Sequence, residues 1–433
     1  MEFLEQIFKI EKNNTTIKKE LIAGLATFLT MAYIIVVNPL ILQDAGMDFG
    51  AVFTATILTA AIATAIMGLW ANWPIALAPG MGLNAFFAYG VVLGMGHSWQ
   101  IALGAVFCSG ILFVIISLTP LRQWIIEAIP RSLRYGIGAG IGFFLAIIGL
   151  KNAGIVVASE ATLVTLGNLT ESSVFLACIG FIAMVALDKL KVPGSIVISI
   201  IAITIIGLIT GDAKWGGGNF LPPDMSPTFL ALDIGGVFTA GLYVVVLTFL
   251  FVDFFDTAGT LTSAANLAGK VDNEGKVDGL GKAILSDSAA TTIGSLLGTS
   301  NTTSYIESGA GIKEGGKTGL TAVTVSVLFL LCLFLAPIAK TIPGWATAPA
   351  LVFVATFFAR NLKDLDWDDV TAYGPGILGA VIMPLTFSIA NGIAIAFIAY
   401  TAIKIATGAM KEIHLAVWIL SILSILYYIK DLF

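Results

Sequence analysis

Charge is what this chain has least of. Of its 433 residues 11% are Asp, Glu, Lys or Arg, against about 25% in an average soluble domain, and 58% are hydrophobic. Between Phe49 and Leu121 none of the four charged types occurs, an interval that holds three or more membrane crossings at roughly 20 residues each. Histidine is nearly missing too. His97 and His414 stand alone, each without a second His, Cys or carboxylate at ligand spacing, so no metal site is expected. Three cysteines, Cys108, Cys178 and Cys332, are scattered through apolar runs and read as small hydrophobes rather than disulfide partners. With a net charge of −5 and no basic tract, a nucleic-acid partner has nothing to rest on.

Catalytic signatures are equally scarce. No phosphate-binding Gly-rich loop, G-x-S-x-G elbow or H-E-x-x-H occurs. "GIGAGIGFF" (136–144) lacks the preceding strand and downstream acid of a dinucleotide site, and reads as close helix packing. Residues 1–16 carry no apolar core or cleavage site of a secretory signal, so the first crossing is expected to stay in the protein.

What is present is apolar length. Backbone polar groups cannot stay unpaired in hydrocarbon, so such runs must be helices, and the alternating strands of an outer-membrane barrel are absent. The expected class is an all-α polytopic membrane protein. Apolar segments fall near 21–43, 52–70, 84–95, 99–118, 134–150, 172–187, 194–210, 236–256, 284–298, 305–312, 318–338, 346–360, 373–388 and 390–406, fourteen in all. With the N-terminus cytoplasmic, the even-numbered loops collect Arg122, Arg131 and Arg134, then Lys189 and Lys191, Lys270, Lys276 and Lys282, Lys313 and Lys317, and Arg360 and Lys363. The last stretch, 412–430, is long enough either to cross again or to lie on the surface.

"TFLTMAY" from Thr27 and "TFLFVDF" from Thr248 lie 221 residues apart and suggest two halves, 1–212 and 222–433. The same offset sets "APGMGLNAFFAY" (78–89) against "TSNTTSYIESGA" (299–310). Because seven segments precede the second half, the two would face opposite ways as inverted repeats. Both stretches are too short and too polar for ordinary spans. Interrupted backbone at membrane depth is tolerated only against protein or a water-filled cavity, and its freed N–H and C=O groups are ligand-binding equipment. Asn84 and the run Thr299–Ser304, including Thr303, are therefore candidate site residues.

Carboxylates in a membrane are costly and normally serve a pathway. Asp253, Asp256, Asp287 and Glu307 are four of them, all in the second half. Asp253 and Asp256 are three apart, hence on one helix face with Thr257 and Thr260. A carboxyl at such depth can hold a proton, and when neutral it both donates and accepts hydrogen bonds. That suits a flat heterocycle with alternating N–H and C=O edges. Two bland alternatives stay open, helix-end solvation for Asp256 and a structural bond from Asp287 to Ser286 or Ser288.

"TFLTMAYIIVVNP" (27–39), "APGMGLNAFFAY" (78–89), "FVDFFDTAGTL" (251–261) and "GTSNTTSYIESGAGI" (298–312) resemble the AzgA-like adenine/guanine/hypoxanthine permeases of the nucleobase:cation symporter-2 superfamily, over essentially the whole chain. The resemblance implies fourteen transmembrane segments in two inverted repeats of seven. It implies a core domain, approximately 17–119 and 236–338, and a gate domain, approximately 120–212 and 345–406. The third and tenth segments would each join a short strand to a half-helix, with the nucleobase between them. Asn84, Asp253 and Glu307 would bind the purine, with Asp256, Thr257 and Thr303 beside them and Phe86 as an apolar neighbour. Asp253, Glu307 and Asp287 would be candidates to carry a coupled proton, with no other cofactor.

The function expected from all this is a proton-coupled purine importer of the cytoplasmic membrane rather than an enzyme. A homodimer through the gate domain is an open partner expectation besides purine and lipid. The rivals are an anion carrier of the same fold, which acids in the site would repel, and an intramembrane hydrolase using Asp253 and Glu307, which lacks the G-x-G-D setting of aspartyl membrane proteases.

Overall fold

The computed structural model describes residues 2–119, 128–271 and 277–429. Arg122 and Lys276 of the loop pattern, and Lys430, the last residue of the 412–430 stretch, lie outside them. A short helix α1 (Glu2–Phe8) precedes α2 (Ile17–Met31) and α3 (Ile34–Asp44), which form one apolar stretch of 28 residues with a break at Ala32–Tyr33. At the break Ile35 and Val36 bond back three residues instead of four, and Pro39, which has no N–H, leaves the Ile35 carbonyl without its helical partner. The result is a local kink that frees Tyr33 to point inward.

Next come α4 (Phe49–Ile66), extended by a wide turn to Ala71, strand β1 (Leu77–Pro79), half-helix α5 (Met81–Ala85) continuing as a widened helix to Gly94, and α6 (Trp99–Leu118). The middle holds α7 (Arg131–Asn152), an exposed hairpin of β2 (Val156–Ser159) and β3 (Leu163–Leu166), α8 (Ser172–Lys189), α9 (Ser195–Thr210) and α10 (Ile234–Thr239). Then follow α11 (Tyr243–Ala268), α12 (Leu280–Leu297), strand β4 (Thr302–Ser304), half-helix α13 (Ser308–Lys313), α14 (Gly319–Leu331) and α15 (Ala336–Thr341). The chain closes with α16 (Gly344–Ala359), α17 (Val370–Thr386), α18 (Ile389–Ala406) and α19 (Leu415–Ile429).

Helices occupy all fourteen apolar segments, and eight stretches among the described residues are long and apolar enough by themselves to cross a bilayer. The protein is a multi-pass membrane protein. The hairpin β2–β3 went unforeseen, because its residues are exposed and carry no apolar alternation.

Two bundles are visible in the packing. In one, α14 lies against α2 and α4, and α12 against α6; in the other, α7 lies against α16 and α17, α17 against α18, and α8 against α9 and α16. The glycines of "GIGAGIGFF" make the second bundle's contacts. A Cβ on Gly136 would meet the Gly376 backbone at 2.5 Å, and one on Gly140 the Met383 sulfur at 2.6 Å. The packing reading of that motif therefore holds.

In the first bundle the equivalent point is Gly319, whose added Cβ would collide with the Gly68 carbonyl. Next to it the buried carboxylate of Glu20 accepts the N–H groups of Lys317 (2.9 Å) and Thr318 (3.2 Å) and the Thr321 hydroxyl (2.6 Å), capping α14. Two backbones cannot separate here without uncapping that helix. Gly319→Ala is expected to cost about 3 kcal/mol, at the upper end for overpacking, read as a lower thermal midpoint of the detergent-solubilised protein; an unchanged midpoint would refute the contact.

The strands meet as an antiparallel pair in the register Leu77↔Ser304, Ala78↔Thr303 and Pro79↔Thr302. They are 225 residues apart in sequence, four more than the helix offset of 221; the loop before α12 (269–279) is longer than the one before α4 (45–48), which outweighs the shorter connection from α12 to β4. The final helix α19 follows α18 back. Lys404 pairs with Glu412 (2.7 Å), Thr401 with Ser421 (2.6 Å), and Tyr428 reaches Asn391 (3.3 Å), so contact partners fall along α18 as they rise along α19.

Candidate functional site

A two-stranded ribbon inside a helical protein leaves its outer edges unpaired, and in the described structure side chains close them. Thr64 Oγ1 accepts the Leu77 N–H (2.9 Å) and Ser308 Oγ the Ala76 N–H (3.0 Å). On the other edge Thr291 Oγ1 accepts the Thr302 N–H (3.1 Å) and Asp287 Oδ2 the Ser304 N–H (2.7 Å). The hydroxyl-rich composition of these segments thus has a physical cause, since every edge amide needs a partner where water is scarce. Pro79 in β1 spares one such partner, having no N–H to satisfy. Gly80 then lets the chain turn into α5 beside Thr303, whose methyl an added Cβ would meet at 3.0 Å.

Beside the ribbon lies a cavity of about 70 Å³ between the two bundles. Its polar wall includes Tyr33, Asp256, Thr260, Thr303 and Glu307; its apolar wall includes Ile141 from α7 and Phe357 and Phe358 from α16. Glu307 precedes α13, and its Oε1 accepts the Tyr33 hydroxyl at 2.7 Å. Tyr305 fixes the local chain by donating its hydroxyl to the Pro79 carbonyl and its N–H to the Ala76 carbonyl (2.9 Å). The cavity can thus offer a planar guest a carboxylate pair on one side and aromatic faces on the other.

The sequence-derived candidates divide into two groups here. Asp256, Thr303 and Glu307 line the cavity. Asp253, Thr257, Asp287, Asn84 and Phe86 do not, and each is occupied elsewhere. Asp253, although one turn from Asp256, is fully buried against β4, where its Oδ2 accepts Thr291 Oγ1 (2.6 Å) and Asn301 Nδ2 (3.2 Å) while Oδ1 has no partner among the described residues. Asp287 takes the Thr257 hydroxyl (2.6 Å) and both the N–H and the hydroxyl of Ser304. Its neighbours Ser286 and Ser288 instead bond to the carbonyls of Lys282 and Leu285, so the local bond expected for Asp287 is replaced by a long-range one. Asn84 donates to Asn38 Oδ1 (2.9 Å), and Asn38 in turn donates to Thr56 (2.7 Å) and Thr299 (2.8 Å). Phe86 is buried with its ring 5.1 Å from that of Phe249.

Tyr33, Phe357 and Phe358 were missed. Tyr33 stood in the quoted "TFLTMAY", but only the helix break at Ala32 shows that it turns inward. The two phenylalanines carry no signal, because an aromatic in an apolar helix has many uses. Among the described residues no three His, Cys, Asp or Glu side chains gather as metal ligands.

Tyr33→Phe removes one hydrogen bond to a carboxylate, worth about 1.5 kcal/mol or more. Uptake efficiency should fall about tenfold with a changed pH profile; a variant with wild-type kinetics would show that the bond is incidental.

Solved structures place the fold first. The chain matches the transmembrane domain of a cyanobacterial bicarbonate transporter, BicA, at a TM-score of 0.64 and 15% identity, covering 88% of this chain and 97% of that one. It matches the overall structure of SLC26A9 at 0.67 and 12%, covering 90% and 66%. At such identities the likeness is one of fold, and the fold is that of membrane transporters. Sequence then fixes the family: residues 18–395 match Xan_ur_permease, and the chain belongs to this permease family. It is 52% identical over 430 residues to putative permease MJ0326 of Methanocaldococcus jannaschii, covering 99% of each. It is 44% identical over 423 residues to the adenine permease AdeP of Escherichia coli (98% and 95% covered) and 45% over 425 to the guanine/hypoxanthine permease PbuO of Bacillus subtilis (96% and 98%). The resemblance to nucleobase:cation symporter-2 permeases is borne out by these relatives.

Proposed function

We propose that this protein carries purine nucleobases across the cytoplasmic membrane, with proton uptake coupled to substrate uptake. The observation that carries the reading is the cavity in which Glu307, held by Tyr33, and Asp256 face Phe357 and Phe358 of the other bundle. A purine presents N–H and ring-nitrogen edges to carboxyl groups and a flat face to aromatic rings, and carboxyls can carry the proton as well. Relatives named for adenine, guanine and hypoxanthine support the same substrate class. An anion carrier is disfavoured, because two carboxyl groups wall the cavity and, among the described residues, no lysine or arginine does.

The bundle containing α2, α4, α6, α12 and α14 is the proposed core, and that containing α7 to α9 and α16 to α18 the gate. Because the cavity takes its walls from both, movement of one against the other would open it alternately to the two sides, with the N-terminus and the lysine-rich loops in the cytoplasm. Pairing of two chains through the gate belongs to the same proposal.

Proteoliposomes supplied with labelled adenine, guanine or hypoxanthine test the reading. Accumulation of unchanged base, raised when the outside is acid and abolished by a protonophore, is the expected result. Uptake driven by Na⁺ and indifferent to pH would remove the proton; conversion of the base to another product would remove the carrier.

A further inference from the structure

A second cavity, of about 850 Å³, is built from the N-terminal segment, the turn after α4 and the approach to α12. Among the described residues four lysines line it, Lys9, Lys12, Lys270 and Lys282, against one carboxylate, that of Asp278. Lysines that share one water-filled space repel one another, and an anion bound between them relieves that repulsion.

The walls are pinned. Asn72, in the left-handed region at φ 53, donates Nδ2 to the Phe8 carbonyl (3.1 Å), accepts the Gly319 N–H at Oδ1 (2.7 Å) and accepts Lys270 Nζ at its own carbonyl (3.2 Å). Trp73 donates Nε1 to the Asp278 carbonyl (3.1 Å), and Lys270 Nζ stands 5.8 Å from its ring centre. Burial lowers the Lys270 pKa below the ordinary lysine value, opposed by Asp278 and Glu20, so an added anion would stabilise its charge. The rim is apolar. Leu69 and Trp70 are 54% and 46% exposed at the end of a membrane-spanning helix, where aromatic residues mark the headgroup level.

We infer that this cavity binds a phosphate group, supplied by the headgroup of an anionic lipid whose acyl chains run down over Leu69 and Trp70. The site is separate from the ribbon cavity, and its occupancy is readable without any transport assay.

The test uses the full chain purified in detergent, with phosphatidylglycerol, phosphatidylcholine and inorganic phosphate as probes, and native mass spectrometry as readout. One phosphatidylglycerol per chain should survive delipidation that strips phosphatidylcholine. Lys270→Gln with Lys282→Gln should weaken it about 25-fold, roughly fivefold for each charge near the surface, and Lys270→Arg with Lys282→Arg should restore it. Millimolar inorganic phosphate that displaces the lipid assigns the site to phosphate itself. If phosphatidylglycerol binds no better than phosphatidylcholine and phosphate does not bind, or if the glutamine pair retains lipid as wild type does, the inference is wrong.

Discussion

Glu307→Gln is expected to reduce net purine uptake about 100-fold. The change keeps size and shape and still offers Tyr33 an acceptor, so the protein should fold and the cavity should persist. What disappears is the negative charge and the capacity to take a proton. A hydrogen bond to a charged group is worth about 1.5–3 kcal/mol, and 1.4 kcal/mol corresponds to a factor of ten in rate. Net uptake against a gradient needs both substrate binding and proton carriage, whereas counterflow exchange of purine for purine needs only the first. Exchange should therefore fall less than net uptake, perceptibly retaining activity when accumulation is gone. A variant that accumulates purine at more than half the wild-type rate, with the same pH response, would remove Glu307 from the mechanism.

Much of this site could be read in the sequence, for a reason that also explains what could not. "LAPGMG" and "TSNTTS" stand out because a membrane interior punishes unpaired backbone groups, so wherever helices stop, the replacement partners must be written into the side chains. Thr64, Thr291, Asp287 and Ser308 turned out to be those partners. A polar residue at membrane depth signals that something needs a hydrogen bond, yet not whether that something is substrate or strand. Hence Asp256 and Asp253 looked alike on one helix face, although the roughly 60° between them on the helix sends one to the cavity and the other behind the ribbon. Asn84 was drawn to the site by composition but serves a chain of amides and hydroxyls reaching Asn38 and Thr299. Phe357 and Phe358 were invisible because apolar residues in apolar helices are the background against which signals are sought. The four-residue difference between strand and helix offsets is likewise a matter of connection length, which repeat matching cannot weigh.

Asp287→Ala should be the most destabilising of the carboxylate changes. Its side chain accepts three buried donors at once, the Ser304 N–H, the Ser304 hydroxyl and Thr257 Oγ1, and among the described residues only Thr257 has a second hydroxyl in reach, that of Thr303 (3.1 Å). Breaking such a buried group strands its partners, at about 3–5 kcal/mol. In a membrane interior the Ser304 N–H cannot turn to water, so β4 is expected to lose its outer edge and its register with β1. The thermal midpoint in detergent should drop by at least about 5 °C, and uptake should vanish with it. Asp253→Asn provides the contrast. One amide oxygen can still accept Thr291 and Asn301, and the new NH₂ falls where Oδ1 now has no partner, so the midpoint should barely move. If Asp253→Asn then transports normally while Asp287→Ala unfolds, both residues hold the ribbon and the proton belongs to Glu307 or Asp256. If Asp287→Ala is as stable as wild type, the ribbon does not depend on its edge bonds, and the need to satisfy edge amides is not what makes its segments rich in hydroxyls.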